Sequence, residues 1–195
     1  MYDKITLCID FAESYAKISR IASPSIHPSQ VMHPAFLSVE QLEKECHIAF
    51  KRASGPGGQN RNKVETAVEF THISSGISGS ASERRAQHEN RRVALDRLRI
   101  NLAVEMRTLP SEDGGRLFAE YVHQGRIAVS ETNRDWPPIL AELLNRLAIC
   151  DWEVAPVAQD LTVSSSQLIK ILKQSSIAWI AVNRKRTALG KHAFK

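Results

Sequence analysis

Cysteine is scarce in this chain of 195 residues. Cys8, Cys46 and Cys150 are odd in number and far apart, a distribution that forms neither a disulfide framework nor a zinc site. Long apolar runs are missing too. None approaches the 18 or so residues of a membrane span, and Asp3 and Asp10 interrupt the apolar stretch near the start, where a signal peptide would be continuous. Internal repeats are absent. Core-forming material is not lacking. With 43% hydrophobic and 24% charged residues and a mean hydropathy of −0.26, wholesale disorder is excluded. The length suffices for one good-sized domain or two small ones. A reducing cytosol is the expected compartment, and no metal or organic cofactor is implied.

The net charge is +5 and the isoelectric point is near 9.3. Its placement says more than its size. Residues 1–37 are balanced, 38–109 carry a net +3 and 110–182 a net −3. The last 13 residues carry Arg184, Lys185, Arg186, Lys191 and Lys195 with no acid. The basic excess therefore sits in a middle segment and a tail. On charge alone, a nucleic-acid contact and a solvated surface with a frayed end are equally served.

Along the chain, Ile5, Leu7, Ile9 and Phe11 alternate as in a strand. Ser23-Pro24 through Pro28 and His33-Pro34 read as linker, and Met32 is a second candidate start. Residues 45–53 predict a strand with Cys46, Ile48 and Phe50 on one face. A glycine-rich loop follows, Ser54-Gly55-Pro56-Gly57-Gly58-Gln59-Asn60, and residues 61–68 suggest the start of a short helix. Val68, Phe70 and His72 then alternate into Ser75-Gly76, which predicts a hairpin turn.

Residues 82–109 predict one long helix with Ser82 as its N-cap. One face runs through Arg84, His88, Arg91, Leu95, Leu98, Leu102, Met106 and Leu109. It is apolar over the last five positions and cationic over the first three, with Arg85 and Arg92 alongside. Such a face either leaves the core and becomes solvated or meets RNA. Pro110 is expected to end this helix, Gly114-Gly115 to mark a turn, and 118–130 to hold a short helix or strand. From Asp135 the pattern is helical, with a stripe at Leu140, Leu143, Leu144 and Leu147, a helix near 152–160, a capping-box spacing at Ser164 and Gln167, and a last helix over 176–189 stopped by Gly190. Residues 157–172 resemble a helix-turn-helix, with Thr162 where a glycine often stands.

A bare Gly-Gly-Gln is weak as a motif, and read alone it is a flexible turn between a strand and a helix. The longer string is specific. Residues 51–76, KRASGPGGQNRNKVETAVEFTHISSG, followed by ERRAQHENRRVALDRL at 83–98, resemble the GGQ domain of class I peptide-chain release factors and of the related ribosome-rescue hydrolases. The matching features are Arg52 and Ser54, the Gly-x-Gly-Gly-Gln loop, Asn62-Lys63, Thr66-Ala67-Val68, Thr71-His72, Gly76, Glu83-Arg84, Gln87-His88 and Asn90-Arg91. The resemblance covers about residues 44–107. Two departures stand out. Asn60-Arg61 replaces the familiar His-Val after the glutamine, and Ala86 stands where a serine usually precedes Gln87. No counterpart of the stop-codon-reading domain is seen.

The resemblance implies hydrolysis of the ester that joins a nascent peptide to tRNA. That reaction needs a water held near the carbonyl carbon and a donor for the developing oxyanion. Gly57 and Gly58 let the main chain adopt angles closed to other residues and approach RNA closely. The backbone N–H of Gln59 then serves as the donor the family implies, while its side chain limits entry to something water-sized. The loop has no Ser/His/Asp set or carboxylate pair, consistent with chemistry completed by the ribosome and the terminal ribose. Lys51, Arg52, Arg61 and Lys63 around the loop suit phosphate contacts, or are ordinary solvated groups. Arg84, Arg85, Arg91 and Arg92 on the helix and Arg184, Lys185, Arg186 and Lys191 in the tail complete the candidate RNA contacts.

The expected fold is α+β: a small mixed or antiparallel sheet carrying the loop, with a long helix packed on it, then a small all-α unit like a helix-turn-helix. The expected division is an N-terminal extension at 1–37, the release-factor-like domain at 38–109, a connector at 110–134 and a helical domain with a basic tail at 135–195. The expected activity is codon-independent peptidyl-tRNA hydrolysis by a cytoplasmic monomer. Its partners are then the ribosome, at the large-subunit rRNA of the peptidyl-transferase centre, and P-site peptidyl-tRNA. Two alternatives stay open: a non-enzymatic ribosome- or RNA-binding regulator that uses the fold to dock, and a DNA-binding regulator built on 138–195.

Overall fold

The computed structural model describes residues 32–52 and 65–195. These divide into two compact units, Pro34–Glu105 and Met106–Lys195, the latter with Met32 and His33.

In the first unit, a 3-10 turn at Pro34–Phe36 leads to helix α1 (Val39–Lys44). Ser38 caps α1 with a reciprocal box: its hydroxyl accepts from Gln41 N, and its own N–H donates to the Gln41 side chain, so two end donors are satisfied at once. Strands β1 (Cys46–Lys51), β2 (Ala67–His72) and β3 (Ser78–Ala81) form an antiparallel sheet in that order. The β1–β2 ladder runs from Cys46↔His72 to Lys51↔Ala67. Val68, Phe70 and His72 are all buried, as their alternation requires. Ala67 and Val68 belong to this strand and not to a helix, because the ladder with β1 captures their backbone. Gly76, at φ +71°, makes the hairpin turn.

Helix α2 (Gln87–Glu105) lies on this sheet and buries Ala94, Leu95, Leu98 and Leu102 against Val68, Phe70 and Ala81. It approaches β3 so closely that a Cβ on Gly79 would overlap Leu98 N and stand 2.5 Å from Ala94 O and 2.7 Å from Leu98 Cα. Asn101 donates to Ser78 O at 2.8 Å and Arg97 to Ser80 O at 2.7 Å. These bonds occupy carbonyls on the outer side of the edge strand, which would otherwise be open to pairing.

The helix is shorter than its periodicity suggests. Ser82 is not its cap, and residues 83–86 are bent. The Asn90 side chain, wholly buried, accepts from Arg84 N at 2.8 Å and donates to Arg84 O at 2.9 Å. The backbone at Arg84 is thereby drawn out of the helical pattern. At the other end the helix stops at Glu105, before Pro110.

The second unit contains α3 (Glu112–Glu120), a two-stranded hairpin of β4 (Val122–His123) and β5 (Arg126–Ile127), α4 (Trp136–Ile149), α5 (Val154–Asp160), α6 (Ser165–Gln174) and α7 (Ser176–Ala188). Residues 110–134, read as a connector, therefore carry a helix and a hairpin that belong to this unit, which is not purely helical. Gly114 and Gly115, read as a turn, lie inside α3. Ser111 caps that helix through Gly114 N. The absence of a side chain at Gly114 admits the buried Glu142, whose Cδ would lie 2.6 Å from a Cβ there. Glu142 is tied to Arg146 at 2.8 Å and accepts from Ser111 N at 3.2 Å. Burial pushes its carboxyl above the ordinary range against the pull of Arg146. Ser164 caps α6 through Gln167 N. Between α5 and α6, Thr162 adopts φ +54°, the left-handed conformation that a glycine takes easily.

Candidate functional site

The ladder determines where the glycine loop is attached. The chain leaves β1 at Lys51 and returns at Ala67, paired with each other across the strands. Gly57, Gly58 and Gln59, with Arg61 and Lys63, fall between these two ends and lie outside the described residues. What the structure describes is the base of the loop.

That base is built by α2. Its first turn presents Gln87 and, one turn on, Asn90. Gln87 Nε2 donates to Glu65 O at 2.9 Å, and Asn90 Nδ2 donates to Thr66 O at 2.7 Å. Neither role was apparent from the sequence, although both residues belong to the matched motif. On the β1 side, Lys51 forms an ion pair with Glu69, and Arg52 lies 3.8 Å from Glu65. Each of these two candidate RNA contacts thus faces a carboxylate on an exposed surface, where such pairs are weak and readily exchanged.

The helix cations separate into two kinds. Arg84 and Arg85 are exposed and make no ion pair among the described residues. Arg92 is exposed too, with Asp96 in its electrostatic reach. Arg91 is different. It grips Glu43 of α1 through Nη2 at 2.8 Å and Nε at 3.2 Å, and its guanidinium sits 5.2 Å from the centroid of the Phe70 ring. This is a bidentate pair with a cation–π contact, and it joins α1 to the sheet and α2. The arginine expected at an RNA-facing end of the stripe is committed within the fold. Its acidic partner stands 48 positions away in the sequence.

The tail shows the same separation. Arg184 and Lys185 lie exposed on the last turns of α7. Arg186 is buried, at 8% exposure. It donates to Trp152 O at 2.6 Å and His192 O at 2.9 Å, lies 3.5 Å from the Glu153 carboxylate, and stacks 3.9 Å from the Phe194 centroid. Lys191 donates to Asp151 O at 2.8 Å and pairs with Glu153 at 2.6 Å. Phe194 N donates to Asn183 at 2.8 Å, and its ring lies 6.0 Å from Trp179. Residues beyond Gly190 fold back on α7. The two cations capture carbonyls of Asp151 and Trp152, which stand at φ +50° and +62°, strained for residues other than glycine. The hydrogen bonds over-determine that turn.

Comparison with known proteins draws a boundary inside the second unit. The RF-1 domain model matches residues 37–134. The chain belongs to the RF-1 domain family of class I release factors. A chloroplastic peptide chain release factor of Arabidopsis thaliana is 47% identical over 68 residues, which is 35% of this chain and 15% of that protein. Peptide chain release factor 2 of Paramagnetospirillum magneticum is 46% identical over 66 residues, 34% of this chain and 18% of the relative. Peptide chain release factor 1 of Ehrlichia ruminantium (strain Gardel) is 31% identical over 119 residues, 52% and 33% of the two chains. The chain thus spans about a third or less of the length of these relatives. The family match takes in the whole sheet, α2, α3 and the short hairpin, and leaves α4–α7 outside it.

Among the described residues no cluster of side chains could hold a metal ion, and no helix is long and apolar enough to cross a membrane.

Proposed function

We propose that this protein hydrolyses the ester of peptidyl-tRNA on the ribosome, by the Gly57-Gly58-Gln59 loop, without reading a stop codon. The observation that carries this reading is the pairing of Lys51 with Ala67. It joins the two ends of the loop at one edge of a sheet backed by a long helix, in a chain of the release-factor family. A loop held at both ends can present a backbone donor to the ester while the glycines keep bulk away from RNA. The rest of the chemistry then comes from the ribosome and the terminal ribose.

An RNA partner is supported by the cations left over once the structural ones are set aside. Arg84, Arg85 and Arg92 lie exposed at the loop end of α2. In the second unit, residues 161–195 contain no acidic residue at all. Lys170, Arg184 and Lys185 are exposed there, a surface suited to phosphate. The codon-independent part of the reading is supported by what accompanies the loop: a helical unit of which α4–α7 fall outside the family match. Rescue of stalled ribosomes by a cytoplasmic monomer is the corresponding role. The loop triplet disfavours the docking-module alternative, since docking alone gives no reason to keep both glycines with the glutamine.

The test is peptide release from ribosomes halted in three ways: at the end of a truncated message, at a sense codon and at a stop codon. The proposal expects release on the truncated message without a stop codon. Release confined to ribosomes holding a stop codon would overturn the codon-independent reading.

A further inference from the structure

The β1–β2 ladder ends at Lys51↔Ala67, so the ladder does not reach Glu65 and Thr66, the first described residues after the loop. Helix α2 supplies what the sheet does not. The carbonyls of these two consecutive residues are both taken by one helix face, Glu65 O by Gln87 at 2.9 Å and Thr66 O by Asn90 at 2.7 Å. The spacing of three residues puts both amides on the same side of the helix.

The Asn90 amide admits one orientation. Its two N–H bonds go to Thr66 O and Arg84 O, and its oxygen accepts from Arg84 N. Turned over, the oxygen would face two carbonyls. An aspartate would meet the same repulsion, and an apolar side chain would leave three backbone groups without these bonds. The residue therefore ties the loop foot, the bent segment 83–86 and α2 into one network. Gln87 stands outside that network on the exposed side and touches the foot alone.

We infer that Gln87 and Asn90 are positioning residues: through the carbonyls of Glu65 and Thr66 they set where the β2 end of the loop stands, and so where the loop presents its triplet to the ester. The inference rests on the reading that Gly57-Gly58-Gln59 carries out release. It assigns to α2 a role in rate and not in ribosome affinity.

Gln87 gives the clean test, because it is exposed and its replacement leaves the core untouched. Gln87→Met keeps length and removes the donor, and Gln87→Lys returns a donor. In the full-length chain, release is measured against factor concentration on stalled ribosomes, together with backbone order parameters at residues 65–67 from NMR relaxation and the melting temperature. The expectation for Gln87→Met is a maximal release rate lowered about tenfold at an unchanged half-saturating concentration and melting temperature. Backbone order parameters at 65–67 should fall while those at 68–72 hold, and Gln87→Lys should recover most of the rate. Asn90→Asp should lower the rate further and also reduce stability. Unchanged order at 65–67 overturns the inference whatever the activity, and reduced order with an unchanged rate overturns the positioning role. A wild-type protein that releases no peptide marks the failure of the functional reading itself, and the catalytic part of the inference falls with it.

Discussion

Gly79→Ala places the first test on the contact that seats α2. The new Cβ would lie 2.5 Å from Ala94 O and 2.7 Å from Leu98 Cα, closer still to Leu98 N, and ordinary contact begins near 3.4 Å. All three are backbone atoms of one helix, so no side chain can swing aside. Relief requires α2 to retreat from β3 by about 0.9 Å at Ala94. That retreat strains the bonds from Asn101 to Ser78 O and from Arg97 to Ser80 O. It also opens the layer between Leu98 and Phe70. Overpacking of this kind costs about 1–3 kcal/mol. In a unit of this size each kcal/mol shifts the melting temperature by roughly 4–8 °C, so a fall of about 10 °C is expected. Because the first turn of the same helix holds Glu65 and Thr66, peptide release should decline as well. Denaturant unfolding of the Gly79→Ala and Ser80→Ala proteins gives the comparison. Ser80 is exposed on the same strand, and its replacement should stay within about 0.5 kcal/mol of wild type. If Gly79→Ala is equally silent, the close approach of α2 to β3 is not a constraint on this fold.

The charged residues yield further expectations. Arg91→Ala should destabilise by about 1 kcal/mol, since the Glu43 pair and the Phe70 contact are only partly shielded from water. Reversing Arg84 and Arg85 to glutamate should leave unfolding unchanged but lower the slope of log affinity for ribosomes against log salt by about 2. An unchanged slope would count against those arginines as RNA contacts. Arg186→Ala should cost about 2–3 kcal/mol, because Trp152 O and Glu153 lose a buried charged partner, and the Phe194 amide should lose its exchange protection. The tail also responds to pH. The hydrogen bond from Lys191 is the largest influence holding the Glu153 carboxyl below its ordinary 4.5, so the stabilisation is complete above that value. It is lost as pH falls through the lower folded-state value. The Trp179 indole N–H resonance followed from about pH 6 to pH 3 should report the tail leaving α7, and an unchanged resonance with the rest of the fold intact would refute this coupling.

Much of the first unit was legible in the sequence because its signals are local. Alternation at Val68, Phe70 and His72 and the run Leu95, Leu98, Leu102 each report a buried face directly. The same holds for Ser164 as a cap and for Gly76 as a turn. The parts that were not legible depend on partners far away in sequence. Ser82 looked like a cap until Asn90 drew Arg84 out of the helix. Gly114-Gly115 reads as a turn, yet the pair lies in a helix capped by Ser111, and position 114 lacks a side chain because Glu142 occupies the space beside it. Arg91, Arg186 and Lys191 look like solvent-facing cations, since nothing near them in sequence announces Glu43 or Glu153. At the site, the triplet and its flanking motif were legible by resemblance. The roles of Gln87 and Asn90 were not, because an amide that holds a carbonyl leaves no pattern in the sequence.

The central claim is that the loop between Lys51 and Ala67 performs the chemistry, and the most direct measurement is single-turnover peptide release by the Gly58→Ala protein on ribosomes stalled on truncated message. Binding to the same ribosomes and the melting temperature should match wild type. The release rate should fall by about 10²-fold or more, because a methyl group in the loop forces the donor out of place by an ångström-scale shift. A folded, ribosome-bound Gly58→Ala protein that releases peptide at the wild-type rate would contradict the account.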